Sequence, residues 1–281
     1  MKPGAAPAAA CAPAAPAHAA LRPWVEGVWS CARPDRAVAA AREHSLPNGA
    51  MHLVVRLDGP PLRLYADPAD RRGRGFGPAT LAGVRSGYCI KDLSQPAASV
   101  GAVLRPGAAM ALFGVSAAEL AGQHVDLHDL CGAPAQALYQ RLAACADPER
   151  RRAVFERFLL ERLRPLRRLD PQIVLAAQRL QREPAAVAAM AAGAGRSHRH
   201  FIAGFRDATG LSPKRYARVQ RFRRLLERLR GETAPDWADL ALAAGYADQS
   251  HLIREFGEFA GVSPGRYLAA GVRSPQHLPL A

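Results

Sequence analysis

The sequence predicts an α+β domain followed by an all-α domain in which two small helical units flank one long helix. Three observations predict it. Up to about Leu104 the apolar residues alternate or gather in β-rich runs, whereas from Ser116 onward they recur at helical spacing. One stretch is written twice at constant spacing: Phe205-x4-Gly210-Leu211-Ser212-Pro213-x-Arg215-Tyr216 returns as Phe256-x4-Gly261-Val262-Ser263-Pro264-x-Arg266-Tyr267. Upstream the register also holds, Ser197 with Asp248, His200 with His251, Phe201 with Leu252 and Ile202 with Ile253. Finally, charge is uneven: residues 1–140 hold 13 basic and 10 acidic residues, and residues 141–281 hold 25 and 14.

Residues 1–20 are Ala/Pro-rich and read as a disordered tail. Pro3, Pro7, Pro13 and Pro16 interrupt any apolar run there, so the segment is a poor signal peptide. The α+β domain is expected over 21–145. Met51 to Leu57 is β-rich, Leu62 to Tyr65 alternates, and Pro47-Asn48-Gly49 marks a turn before them. Asp67 to Gly77 reads as a loop; Leu81 to Ile90 and Ser99 to Leu104 are further strand candidates. Ser116-Ala-Ala-Glu119 is a capping box that opens a short helix. Helices are expected from Pro134 to Cys145 and from Glu149 to Leu163, the second within a helical connector over 146–170.

The all-α domain is expected over 171–270, with a tail over 271–281. Asp170 caps a helix that has Pro171 in its first turn, and Ile173, Ala176, Ala177 and Leu180 make its apolar stripe. A short helix covers Ala185 to Ala192, and Gly193-Ala-Gly195 turns the chain. Ser197 caps the next helix, which runs to about Ala208. The long helix spans Pro213 to about Arg230 and buries Tyr216, Val219, Phe222, Leu225, Leu226 and Leu229. Asp236 caps a helix to Ala244, Gly245 turns the chain, and Asp248 caps a last one to about Phe259.

The net charge of +14 and a pI of about 10.5 suit a polyanionic partner. The excess sits in the half that carries the repeat. Five scattered cysteines with no CxxC exclude a zinc module or a disulfide framework and fit a reducing cytosol. No apolar stretch is long enough to span a membrane.

A repeated unit of this kind in a basic chain suggests helix-turn-helix, whose second helix enters the major groove and reads bases from its N-terminal half. Phe201 and Phe205 would anchor the first such helix, leaving His198, Arg199, Ile202 and Arg206 outside. Leu252 and Phe256 would anchor the second, leaving Gln249, Ser250, His251 and Arg254 outside. Arginine grips guanine and glutamine adenine, each good pair discriminating by about 1–3 kcal/mol. Arg215, Arg218, Arg221 and Arg266 are candidate phosphate contacts.

Ala241-x3-Gly245-Tyr246-x-Asp248-Gln249-Ser250-His251-Leu252-x-Arg254-x-Phe256, followed by Gly261-Val262-Ser263-Pro264, closely resembles the signature of the AraC/XylS family of bacterial transcription regulators. The resemblance covers 171–270. It implies two helix-turn-helix units bridged by the long helix, with both recognition helices in successive major grooves about one turn apart. The first unit departs from the pattern: where Arg254 precedes Phe256, Ala203 precedes Phe205, and Gly204 sits in a helix interior at a cost of about 1 kcal/mol. The first unit is therefore expected to read fewer bases, with Arg199 and Arg206 gripping phosphates. More weakly, Trp24-Val-Glu26 with Trp29, Leu46-Pro-Asn-Gly49, Arg105-Pro-Gly-Ala-Ala-x2-Leu-Phe-Gly-Val115 and Asp126-Leu-x-Asp-Leu130 resemble a sensor-like domain found ahead of this unit, one that senses, dimerises, or both.

Other constellations are weaker. His124-x3-His128 has metal-ligand spacing but no third ligand. Gly73-x-Gly75-x-Gly77 lacks the lysine and helix of a phosphate loop. Some DNA-repair methyltransferases share this DNA-binding unit, but no cysteine here is followed by His-Arg as their chemistry requires. The expectation is a sequence-specific regulator, not an enzyme, with no metal and no cofactor, in the cytoplasm on the nucleoid. Its partners would be double-stranded promoter DNA, RNA polymerase, a small-molecule effector of unnamed class and a second copy of itself, with no membrane. The alternative is an architectural, low-specificity DNA binder.

Overall fold

A computed structural model describes residues 12–32, 41–94, 97–165, 169–183, 187–195, 197–272 and 274–280. Among them lie ten strands, β1 (Val25–Cys31), β2 (Arg42–Ser45), β3 (Met51–Arg56), β4 (Arg63–Tyr65), β5 (Arg74–Gly75), β6 (Ala79–Ala82), β7 (Cys89–Asp92), β8 (Ser99–Leu104), β9 (His124–Asp126) and β10 (His277–Leu280). They form two antiparallel five-stranded sheets, ordered β1-β8-β3-β6-β9 and β10-β2-β7-β4-β5. Strand β3 alternates buried and half-buried residues, so Met51, Leu53 and Val55 face the core, as the period-two pattern requires.

Five helices complete this domain: α1 (Ala108–Phe113), α2 (Ala117–Leu120), α3 (Leu127–Cys131), α4 (Ala133–Ala143) and α5 (Pro148–Arg162). The capping box forms as expected, with Ser116 Oγ accepting from Ala118 N–H and Glu119 accepting from Ser116 N–H. Helix α5, expected in a connector, belongs to this domain. Its Phe155, Phe158 and Leu159 pack into one core with Leu53, Leu81, Val100 and Leu104. Burying each such side chain is worth about 1.5–3 kcal/mol.

Four expectations are corrected. The strand candidate Leu81 to Ile90 is two strands, because the chain leaves the sheet at Gly83, where a Cβ would lie 1.7 Å from Leu120 O. Residues 12–20 do not continue a tail: Ala14 and Val28 exchange backbone hydrogen bonds, and Ala17 N–H donates to Glu156 at 2.9 Å. Residues 1–11 lie outside the described residues. The expected C-terminal tail contributes β10, which pairs with β2 in register Leu278 to His44 and buries Leu278. Cys31 is disulfide-bonded, against the expectation of unpaired thiols, whereas Cys89, Cys131 and Cys145 are free. His124 and His128 fall on different elements, β9 and α3, and His124 Nδ1 lies 2.8 Å from the Arg85 guanidinium. No helix among the described residues is long and apolar enough to cross a membrane.

The second domain is α6 (Pro171–Arg182), α7 (Val187–Gly193), α8 (His198–Thr209), α9 (Pro213–Arg228), α10 (Trp237–Ala243), α11 (Gln249–Ala260) and α12 (Pro264–Ala269). Helix α9 is the shared beam. It gives Tyr216 to a cluster with Ile173, Phe201 and Phe205, and Phe222 to a cluster with Leu252, Phe256 and Phe259.

Candidate nucleic-acid interface

The repeat in sequence is a repeat in atoms. Ser197 and Asp248 cap α8 and α11 by accepting from the N–H groups of His200 and His251. Gly210 and Gly261 end those helices at φ +83° and +72°, a left-handed conformation that glycine adopts without the Cβ penalty. Ser212 and Ser263 then cap α9 and α12, each accepting from the N–H three residues on at 3.3 Å. Phe205 meets Tyr216 edge-to-face at 5.6 Å and 75°, and Phe256 meets Tyr267 at 5.5 Å and 70°.

Anchored in this way, each second helix turns one side outward. On α8, His198, Arg199 and Arg206 are exposed and Ile202 is half-buried. On α11, Gln249, Ser250 and Arg254 are exposed. His251 is half-buried and turned toward its own turn: Ala247 N–H donates to its Nδ1 at 3.3 Å, and its ring meets Tyr246 at 5.2 Å. The sequence reading missed Ile253. It is 43% exposed, lies on the same outer face as Gln249 and Arg254, and is the repeat partner of Ile202. The repeat register itself held that signal. Gly204 is explained by packing, since a Cβ there would lie 2.7 Å from Ile173 Cδ1, so the glycine lets α6 and α8 close up.

Among the candidate phosphate contacts, Arg266 is exposed, but three have partners inside the protein. Arg218 and Arg221 each reach Glu255 at 2.7 Å, and Glu255 has a side chain only 1% exposed. Arg221 also donates to Gly245 O at 3.1 Å and lies over the Tyr246 ring. Arg215 and Arg218 both bond Glu258, and Arg215 donates to Ser86 O at 3.1 Å. Burial opposes ionisation of Glu258, but the hydrogen bonds from Arg218 and Arg215 outweigh it and hold its carboxyl below the usual range. These arginines first of all lock α11 onto α9.

The C-terminal end of each of these two helices rests on the first domain. A Cβ at Gly210 would lie 2.4 Å from Val84, and one at Gly261 would lie 2.5 Å from the Tyr88 ring. Tyr88 stacks on His44 at 4.0 Å, and His44 Nδ1 lies 2.8 Å from Ala260 O. Ser116 Oγ donates to Asp207 on α8 at 2.7 Å. Residues 84–88 thus touch the equivalent turn in both units, while His198, Arg199, Gln249 and Ser250 at the N-terminal ends of α8 and α11 are exposed.

Residues 190–270 match a family model described as a helix-turn-helix domain, and residues 14–126 match a domain of unknown function, DUF6597. No curated relative matches the chain. Similar solved structures include ToxT from Vibrio cholerae at 10% identity and a TM-score of 0.41, covering 86% of this chain and 97% of that one. They also include ToxT bound to (E)-4-(8-methylnaphthalen-1-yl)but-3-enoic acid, at 11% identity, TM-score 0.44, 86% and 97% coverage. A third, unsaturated fatty acid bound wild-type ToxT, has 12% identity, TM-score 0.42, 88% and 96% coverage. Likenesses this distant identify no ligand for this chain. The helix-turn-helix match spans both copies of the repeat, and residues 190–270 of this chain form a helix-turn-helix domain.

Proposed function

We propose that the protein binds promoter DNA sequence-specifically, with α8 and α11 in successive major grooves on one face of the duplex. The observation that carries this is the pair of outward faces, equal in register, on which His198, Arg199, Gln249, Ser250 and Arg254 are exposed. The second unit does most of the reading, through Gln249, Ser250 and Arg254. The first has Ala203 in the slot of Arg254, so Arg199 and Arg206 hold phosphates there and His198 and Ile202 give the remaining groove contacts. Exposed Arg266 is placed to add a backbone contact, and Arg215, Arg218 and Arg221 approach phosphates only where their glutamates leave charge to spare. His251 acts by bracing the turn.

The first domain regulates this by its grip on both turns. A shift of residues 84–88 moves Gly210 and Gly261 together, and with them the two recognition helices. Ligand binding, dimerisation or contact with RNA polymerase in the cytoplasm would act through that grip. Site selection from random DNA with the full chain tests the reading. A two-part motif with halves about one turn, 10–10.5 bp, apart supports it. A single half-site reduces the first unit to a backbone contact, and binding without enrichment points to an architectural protein.

A further inference from the structure

Where the two domains meet there is a cleft of about 350 Å³, near the lower end of the range for small-ligand sites. The first domain supplies Glu26 and Arg105, α6 supplies Gln181 and Arg182, and α9 supplies the rest, Arg223, Arg224 and Glu227. The charges do not balance. Four guanidiniums face two carboxylates, and Glu26 is already occupied, with one oxygen 3.0 Å from Gln181 Nε2 and the other 3.5 Å from Arg223. Two polar atoms of the cleft residues are shut off from water without a hydrogen-bond partner: Arg224 Nη1, a donor, and Gln181 Oε1, an acceptor on a side chain that is itself buried. Burial, and then the charges of Arg223 and Arg221, disfavour the cation on Arg224. A half-buried guanidinium with an unpartnered, closed-off nitrogen among like charges calls for an anion. The unpartnered amide oxygen of buried Gln181, a residue of the same lining, calls for a hydrogen-bond donor.

We infer that this cleft binds a small hydroxyl-bearing oxyanion, its carboxylate or phosphate held by Arg224 with Arg223, Arg105 and Arg182, and its hydroxyl donating to Gln181 Oε1. Such a ligand would tie the first domain to α6 and α9 at once, which gives the proposed regulation an effector site. Only that consequence rests on the proposed function; binding itself is independent of DNA.

Calorimetric titration of the full chain tests it, with citrate, tricarballylate (the same three carboxylates without the hydroxyl) and glycerol 3-phosphate, each at ionic strength matched with KCl. Saturable one-to-one binding of citrate or of glycerol 3-phosphate is expected, and whichever binds names the oxyanion as carboxylate or phosphate. Tricarballylate should bind about tenfold more weakly than citrate if citrate is the binder. Arg224→Gln and, should that variant fold poorly, Arg105→Gln should weaken binding at least about tenfold, the loss of one charged hydrogen bond. Arg254→Gln, on the DNA face, should leave anion binding unchanged. No saturable binding by any probe overturns the site, as does binding lost in Arg254→Gln but kept in Arg224→Gln and Arg105→Gln. Equal citrate and tricarballylate binding overturns the hydroxyl assignment to Gln181.

Discussion

Replacing Glu255 by alanine would remove the carboxylate on which Arg218 and Arg221 converge, each at 2.7 Å. Removing one partner of a fully buried ion pair costs about 3–5 kcal/mol, because the other charge is stranded. Here the carboxylate is buried but the guanidiniums keep 29% and 21% of their side-chain surface in water, and Arg218 retains Glu258. The expected loss is therefore nearer about 2 kcal/mol, and Glu255→Gln, which keeps the volume and one acceptor, should lose about 1 kcal/mol. The same change frees one cation on α9, Arg221, because Arg218 keeps Glu258. If it reaches a phosphate, the slope of log affinity against log salt steepens by about 0.9. Urea unfolding reads the first quantity and fluorescence anisotropy across a salt series reads the second. Stability within about 0.5 kcal/mol of the native protein, together with an unchanged slope, would show that Glu255 does not hold these arginines and would refute the reasoning.

Arg254→Ala should cost about 1–3 kcal/mol of DNA binding and relax preference at one base step; an equal loss on every sequence makes Arg254 a phosphate contact instead. Ile253, exposed on the same face, should pack on a thymine methyl, so replacing thymine by uracil at one selected position should weaken the native protein but not Ile253→Ala. No uracil effect at any position places Ile253 off the groove. Burial, and then the neighbouring Arg85 cation, pushes the His124 imidazole down to about 3. The unfolded state therefore binds the proton first, and stability is present above about pH 6.5 and lost as pH falls toward 3. Between pH 6.5 and 5 the loss is about 2 kcal/mol, and His124→Gln should flatten the pH profile of unfolding over that range. An unaltered profile would assign the pH dependence to other groups.

Local chemistry was readable in the sequence wherever it is local in the chain. Ser116, Asp170, Ser197, Asp236 and Asp248 were each expected as caps, and each accepts a backbone N–H. The long helix buries the six residues its spacing required. The exposed residues His198, Arg199 and Arg206 of α8 and Gln249, Ser250 and Arg254 of α11 followed from the same periodicity, whereas His251 and Ile202 are half-buried and Ile253 was missed. Contacts between distant segments were not readable. Periodicity put Arg215, Arg218 and Arg221 on the outside of α9 without revealing that Glu255 and Glu258 of another helix lie opposite. It could not say that β10 would pair with β2 across more than two hundred residues, since a four-residue strand in a terminal segment carries little pattern of its own. Nor could it show that Val84 and Tyr88, a few residues apart, press on two glycines fifty-one positions apart.

In the proposed complex both units engage one duplex in adjacent grooves. Hydroxyl-radical and guanine-N7 protection of a selected site, with the full chain at near-physiological salt, tests it most directly. Two protected patches are expected on one face of the DNA, centred about 10–10.5 bp apart, with guanine protection in the second patch lost in Arg254→Ala. A single patch that is unaffected by Arg254→Ala, or protection spread evenly along the duplex, would contradict it.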